Sequence, residues 1–368
     1  MGVSVYLDSA AMSVAMRSTQ PTDASLSDIL SRLIPMQKRS HWDIAFAQNS
    51  TQALRAVVEG VVLSGSNAGP VRGVVLDDRM HPVILRCIAL LARVLRIPMA
   101  SADLHRCSGT AGTIRRGRVA VIVPVTCWLT GQVLFNAQRV RDLRRERPNC
   151  LIIADAVQAV GNIPREAVGD LLDGEDADVV LGGVHKWLGC SHPLGIAWVR
   201  KGLIAKNLQL REWLCLNDFL GDGGGPRQLL RDFPDTFDAK VGLSLASELF
   251  KRFPTQRSID RHYETLASNA EMLKSEFGQL AGCRLFSHDD FPESASAICA
   301  VVGTGRTLCR ISAALNMAGF CHTFFERIEY VRWMKGRGLR VSAPCAPLTG
   351  SELAALKRAL APFRSGRP

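Results

Sequence analysis

The chain has 368 residues, of which 47% are hydrophobic and 21% charged, the balance of a soluble globular protein long enough for one large and one smaller domain. No apolar run is long enough to cross a bilayer, and the opening MGVSVYLDSAAMS lacks the basic and apolar stretches of a secretory signal; a cytoplasmic protein with no membrane partner is expected. The net charge of +11 is spread over IRRGR, RVRDLRRERP and MKGRGLR without interleaved aromatics, so nucleic acid is not an expected partner, while a solvated arginine-rich surface and attraction to an acidic partner both fit. The 11 cysteines show no CxxC spacing, which argues against a zinc site and predicts reduced, mostly buried thiols.

In chain order, FAQNSTQALRAVVEGV (46–61) predicts a helix preceded by cap-forming residues. RGVVLDD (72–78) predicts a buried strand, and PVILRCIALLARVLR (82–96) a helix with proline in its first turn. RVAVIVPVT (118–126) is a second strand, and NAQRVRDLRRERP (136–148) a helix stopped by Pro148. CLIIADA (150–156), ADVVLGG (177–183) and GIAWVR (195–200) continue the strands. This rhythm predicts an α/β fold with a mostly parallel central sheet covered by helices on both faces, with chemistry at the carboxyl ends of its strands. Beyond GDGGGPRQ (221–228), helices at 240–253 and 258–280, a strand at 295–303, a helix near 306–319, a strand at 338–344 and a helix at 349–363 predict a smaller α+β unit. The expected division is a large domain over 15–245 and a small one made of 1–14 and 246–368.

Lys186 stands between a histidine and a tryptophan in a loop bounded by two apolar runs. A lysine there is paired, exposed or kept for its amine. Asp155 ends the strand LIIAD, and a parallel sheet can bring it to the same edge as Lys186. One reading is a structural ion pair. The other is a pyridoxal phosphate site, in which Asp155 holds the pyridine nitrogen protonated and Lys186 supplies the amine for the aldehyde. Gln158 can then hydrogen-bond the ring hydroxyl. Asn49, Ser50 and Thr51, at a helix N-terminus, suit either a plain cap or a phosphate, with His185 as a further donor. His81, after the GVVL strand, is either structural or a face partner for the ring.

With these residues together, the chain resembles the class V aminotransferase family of fold-type I pyridoxal phosphate enzymes. YLDSAA is similar to the family's YLDNAA opening, NSTQAL to its GTTEAL turn, and MHPVIL to its EHxAVL segment. IIADAVQAVGNIP resembles VDGAQAxGxxP, and VHKWLGCSHPLGIAWV resembles HKWLxxPxGxGFLWV. PDTFDAKVGLSLASEL is similar to a segment of the isopenicillin N epimerase-like branch, and LRVSAPCAPLTGSELAAL to the family's terminal stretch. The matches run in order from residue 6 to about 357. The resemblance implies a smaller C-terminal α+β domain, an internal aldimine on Lys186, a salt bridge from Asp155 to the pyridine nitrogen, Gln158 at the ring oxygen, and His81 stacked on the ring. It implies phosphate contacts from Ser50, Thr51 and His185, a contact from Thr236 to the neighbouring subunit's phosphate, Thr126 as a pocket residue, and Arg340 as the clamp for a substrate α-carboxylate. It also implies a homodimer with shared active sites. The stretch between YLDSAA and NSTQAL is shorter than the family's, and Gly183 stands where desulfurases often have serine.

The expected activity is at Cα or Cβ of an amino acid, free or carrier-bound: a lyase, including C–S cleavage, or an epimerase-like reaction. An aminotransferase is the enzyme alternative, and a cofactor-binding partner protein without turnover the non-enzyme one. Cys321, beside His322, lies where desulfurases carry a sulfur-accepting cysteine, but the surrounding motif does not match, and free cysteines are mostly core residues.

Overall fold

The computed structural model describes residues 5–6, 30, 32–47, 49–63, 71–104, 118–190, 193–201, 203, 247–285, 296–325 and 337–364. Thr236 and the expected division at 245/246 lie outside them.

In chain order the strands are β1 (Val5–Tyr6), β2 (Trp42–Ala47), β3 (Val71–Asp77), β4 (Met99–Ala102), β5 (Arg118–Pro124), β6 (Leu151–Asp155), β7 (Val179–Gly183), β8 (Gly195–Arg200), β9 (Cys283–Leu285), β10 (Ile298–Gly303), β11 (Phe320–Cys321), β12 (Thr323–Phe325) and β13 (Arg337–Ser342). The helices are α1 (Ser50–Leu63), α2 (Pro82–Leu95), α3 (Ala137–Glu146), α4 (Arg165–Asp173), α5 (Gln256–Gly278), α6 (Gly305–Met317) and α7 (Gly350–Leu360). No helix among the described residues is long and apolar enough to cross a membrane.

Seven strands form the larger sheet in the order β2-β8-β7-β6-β5-β3-β4. β3, β5, β6 and β7 run parallel, with β4 parallel beside β3. Their Val/Ile/Leu-rich runs fit strands buried on both faces. Side chains alternate between two cores: Val75, Val121, Ile152 and Val180 face one, and Val74, Ile122, Ile153 and Val179 the other.

β8 departs from the expected rhythm. It runs antiparallel to β7 and to β2. Only residues 184–194 join β7 to β8, too few for a crossover helix, so the chain turns back on itself. Lys186 lies in this return loop. β2 and β4, unassigned in the sequence, complete the two edges.

The smaller sheet is antiparallel, ordered β12-β13-β10-β9. α5, α6 and α7 pack their apolar faces on it through Leu266, Leu273, Phe277, Leu308, Ile311 and Leu356. Trp187, next to the lysine of the larger unit, is buried in this core too. β1 pairs in parallel with β11.

Candidate active site

The carboxyl ends of β2, β3, β5, β6 and β7 meet at one edge of the larger sheet, and a cavity of about 160 Å³ opens there. Its lining includes Asn49, Ser50, Thr51, His81, Thr126, Trp128, Asp155, Gln158, His185 and Lys186. These come from stretches that are remote in sequence, joined because each follows or ends a strand.

Asn49 closes β2 and opens α1. Its Oδ1 accepts from the Gln52 N–H at 2.9 Å and its carbonyl from the Ala53 N–H at 3.0 Å, the geometry of a helix N-cap. The helix N-terminus sits hard against β8 at Gly195. A Cβ there would stand 2.4 Å from the Asn49 carbonyl carbon and 2.5 Å from the Ser50 nitrogen, so only glycine permits this approach. The first turn thus presents Ser50, Thr51 and backbone N–H groups to the cavity, with the positive end of the helix dipole behind them.

His81 caps α2 in the same way. Its Nδ1 accepts from the Val83 N–H at 3.2 Å, which in the neutral ring puts the proton on Nε2. Burial, then the charges of Lys186 and Arg340, push its pKa down to about 3. The turn before it is fixed by the buried Asp77, whose two carboxylate oxygens accept from the N–H groups of Arg79 and Leu104, each at 2.9 Å. The nearby carboxylates Asp77, Asp78 and Asp103 come within 4.8 Å of one another. Arg79, whose Nη2 donates to both Asp103 oxygens at 3.1 Å, supplies a positive charge there.

Asp155 ends β6, and its Oδ1 accepts from the Val157 N–H at 3.0 Å. Burial raises its pKa, while the Val157 bond and the Lys186 charge pull it back. Gln158 is oriented by its neighbours. Its Oε1 accepts from Trp187 Nε1 at 2.9 Å and its carbonyl from Asn162 Nδ2 at 2.7 Å. His185 is pushed down to about 4 by burial and by Lys186. Thr126 is buried at the end of β5, and among the described residues its Oγ1 has no hydrogen-bond partner.

Arg340 arrives from the smaller sheet. Buried on β13, it donates from Nη1 to the Trp128 carbonyl at 3.1 Å and from Nη2 to Thr323 Oγ1 at 3.3 Å. Its guanidinium carbon lies 5.9 Å from the Trp128 ring centre and 5.7 Å from that of Phe325. It stands beside the cavity rather than in its lining. Cys321 is exposed on β11, and His322 is engaged with Ser312 Oγ at 2.7 Å and the Phe320 carbonyl at 3.1 Å.

Of the expected site residues, the cavity therefore gathers Asn49, Ser50, Thr51, His81, Thr126, Asp155, Gln158, His185 and Lys186, with Arg340 adjoining. Sequence reasoning passed over Trp128, Phe325 and Asp77. Asp77 carries the same mark as Asp155, an acid ending a buried run. Trp128 had a weaker one, a large aromatic within a strand-end loop.

No family model matches the chain, and no curated protein sequence does. Solved structures do. A NifS-like protein is 13% identical and superimposes with a TM-score of 0.67 over 98% of this chain and 99% of that one. An aspartate aminotransferase of subgroup IV from Thermus thermophilus is 13% identical, with a TM-score of 0.66 over 98% and 99%. A serine palmitoyltransferase from Sphingomonas wittichii is 16% identical, with a TM-score of 0.61 over 90% and 74%. The fold is that of the fold-type I enzymes. The sheet edge holding the cavity is the one where α/β sheets place their ligands.

Proposed function

We propose that the chain binds pyridoxal phosphate and acts at Cα or Cβ of an amino-acid substrate, as a lyase (C–S cleavage included) or in an epimerase-like reaction. The observation that carries this reading is the convergence of Lys186, Asp155, His81 and the α1 N-terminus on one cavity at the sheet edge. The donor set fits the cofactor. The helix α1 N-terminus with Ser50 and Thr51, the Asp155 carboxylate, and a buried Thr126 hydroxyl with no hydrogen-bond partner among the described residues all line the cavity.

When bound, the cofactor supplies a sink for the electron pair released at Cα. Asp155 would face the ring nitrogen as a carboxylate. Gln158, with Oε1 held by Trp187, would donate from Nε2 to the ring oxygen. Asn49, Ser50, Thr51 and His185 would hold the phosphate, and His81 would cover the ring face. Thr126 would add a hydroxyl. Lys186 Nζ would take the proton from Cα and return it to the face it left; an epimerase-like outcome requires a second donor on the opposite face. A departing group at Cβ gives elimination instead. Arg340 would hold the α-carboxylate.

The same cavity serves an aminotransferase, and the likeness to a subgroup IV aspartate aminotransferase supports that second reading. A partner protein that binds the cofactor without turnover fits the full constellation least well. We also propose a cytoplasmic homodimer, with a small domain beginning near residue 246 and taking in the N-terminal segment, and the contact of Thr236 with the neighbouring subunit's phosphate as part of it.

The test is the colour of the purified protein. Wild type takes up added pyridoxal phosphate and gains the visible absorbance of a lysine-bound aldehyde; Lys186→Ala does not. Persistence of that band in the variant after dialysis overturns the role of Lys186. Incubation with an amino-acid panel then separates the reactions: pyruvate, ammonia or sulfide without an added α-keto acid indicates a lyase, and product only with the acceptor indicates transamination.

A further inference from the structure

Asn162 stands outside the lining of the cavity, yet its buried side chain joins the two units beside it. Nδ2 donates to the Gln158 carbonyl at 2.7 Å, and Oδ1 accepts from the Ala297 N–H at 2.6 Å. The partners fix which end of the amide is which, since a carbonyl needs a donor and an N–H an acceptor. On one side this holds the turn that carries Gln158, which lines the cavity and whose Oε1 accepts from Trp187 Nε1 at 2.9 Å. Gly161, at φ +81°, lets that turn press on the lysine loop: a Cβ there would stand 2.7 Å from Leu188 Cδ2 and 3.1 Å from Trp187 Cβ. On the other side Ala297 precedes β10. Its carbonyl accepts from the Ala343 N–H at 2.8 Å, and the ladder runs on to Ala300 opposite Arg340. Packing alone does not set this separation, because a second cavity, of about 340 Å³, opens beside Asn162 and Ala297 and is lined also by Arg165, Glu166, Asp260 and Glu264. Arg165 pairs there with Glu166 at 2.8 Å and with Asp260 at 3.2 Å, and His262 bonds the Gly161 carbonyl at 3.0 Å.

We propose that Asn162 is a positioning residue: one buried amide fixes Gln158 for the cofactor ring and, through Ala297, holds the smaller sheet at a set distance from it. The inference rests on the role of Gln158 given above and adds a residue that touches neither cofactor nor substrate. The two ends of the amide do separate work. An ionised aspartate in its place keeps the acceptor and loses the donor, and a leucine loses both at nearly constant volume.

The test follows two N–H groups by NMR hydrogen exchange, the Trp187 indole, whose acceptor is Gln158, and the Ala297 amide, together with pyridoxal phosphate affinity by absorbance titration. In Asn162→Leu at about pH 8, both groups should exchange about tenfold faster and cofactor affinity should fall about tenfold, the size of one buried hydrogen bond. The Trp198 indole, buried in the larger sheet, should stay within about twofold of wild type. Asn162→Asp separates the two ends. At about pH 8 its carboxylate still accepts from Ala297, so only Trp187 exchange and cofactor affinity should change. Burial and the facing Gln158 carbonyl raise the pKa of that carboxyl. Once protonated it donates again, so at about pH 5.5 the deficit against wild type at the same pH should shrink to about twofold. Asn162→Leu should recover nothing on acidification. If Asn162→Asp folds poorly, Asn162→Leu alone decides. A purely structural role would speed all three N–H groups together, Trp198 included, and that outcome overturns the proposal. A change at Trp187 without one at Ala297 in Asn162→Leu, or the reverse, overturns the joint role. So does a deficit in Asn162→Asp that does not respond to pH. If wild type takes up no cofactor, the cofactor reading fails, and the exchange rates still decide whether Asn162 holds both sides.

Discussion

His81 meets opposition to its proton from burial, from Lys186 and from Arg340, which together bring it to about pH 3. A neutral ring with Nε2–H is thus expected throughout the working range. Nitrogen NMR of labelled protein should show that tautomer unchanged from pH 8 to pH 5, and a midpoint near 6.5 assigned to His81 would refute it. A pH–rate profile should likewise lack an acid limb that disappears in His81→Asn. His81, Asp155 and Lys186 are legible in the sequence because each ends a strand or follows one, and strand ends are visible as the borders of apolar runs. Trp128 is not, because its meaning lies in a bond to Arg340 across 212 positions. Phe325 is silent for the same reason. Asp77 was readable in principle, yet nothing local distinguishes an acid that fixes a turn from one that faces a ligand.

Among the elements, the return loop from β7 to β8 and the α1 N-terminus depend on each other through Gly195. Gly195→Ala places a methyl group within 2.4–2.5 Å of the Asn49 and Ser50 backbone. The expected cost is about 1–3 kcal/mol in a denaturant melt, with cofactor affinity falling at least about tenfold by absorbance titration as the helix start is pushed away from the loop. Unchanged affinity in a destabilised variant would show that the helix end does not hold the phosphate. Asn49→Asp separates capping from anion binding. The Gln52 N–H keeps its acceptor, so stability should stay within about 0.5 kcal/mol, while the added negative charge repels a phosphate and weakens cofactor binding. Equal affinity for both forms would remove Asn49 from the phosphate site. The helices and parallel strands could be read from periodicity and proline placement. The reversal of β8 could have been too, since the length of the connecting loop rules out a crossover. β2 and β4 escaped notice because edge strands carry mixed sequences, WDIAFA and MASA, without the long apolar run of a central strand.

Across the whole molecule, stability should fall on acidification, and the buried histidines set where. His262, 6% exposed and bonded through Nε2 to the Gly161 carbonyl at 3.0 Å, is held down to about 4 by burial and by Arg252. Its folded pKa lies below the unfolded value of about 6.5, so the unfolded chain binds the extra proton. Its contribution is complete above pH 6.5 and is lost as pH falls from there towards 4, on the order of 2 kcal/mol by pH 5. His262→Gln should be less stable at pH 8 yet flatter between pH 6.5 and 5; a slope equal to wild type would mean that other groups govern acid unfolding. A second, smaller set of strands and helices was foreseeable from the change of rhythm late in the chain. The seam with the larger sheet was not, because it is made by contacts far apart in sequence: Leu249, Phe253 and Ile259 pack into a core of the larger sheet, and the Ala297 N–H donates to Asn162 Oδ1 at 2.6 Å.

Trp187 belongs to that seam. It follows Lys186 in the chain, is buried in the core of the smaller unit, and steadies Gln158 on the floor of the cavity. Excising residues 247–364 would therefore strip the cover from an indole in the lysine loop itself. The larger unit is therefore not expected to fold alone, and heating should dissolve both halves in one cooperative step that any ligand of the cavity delays.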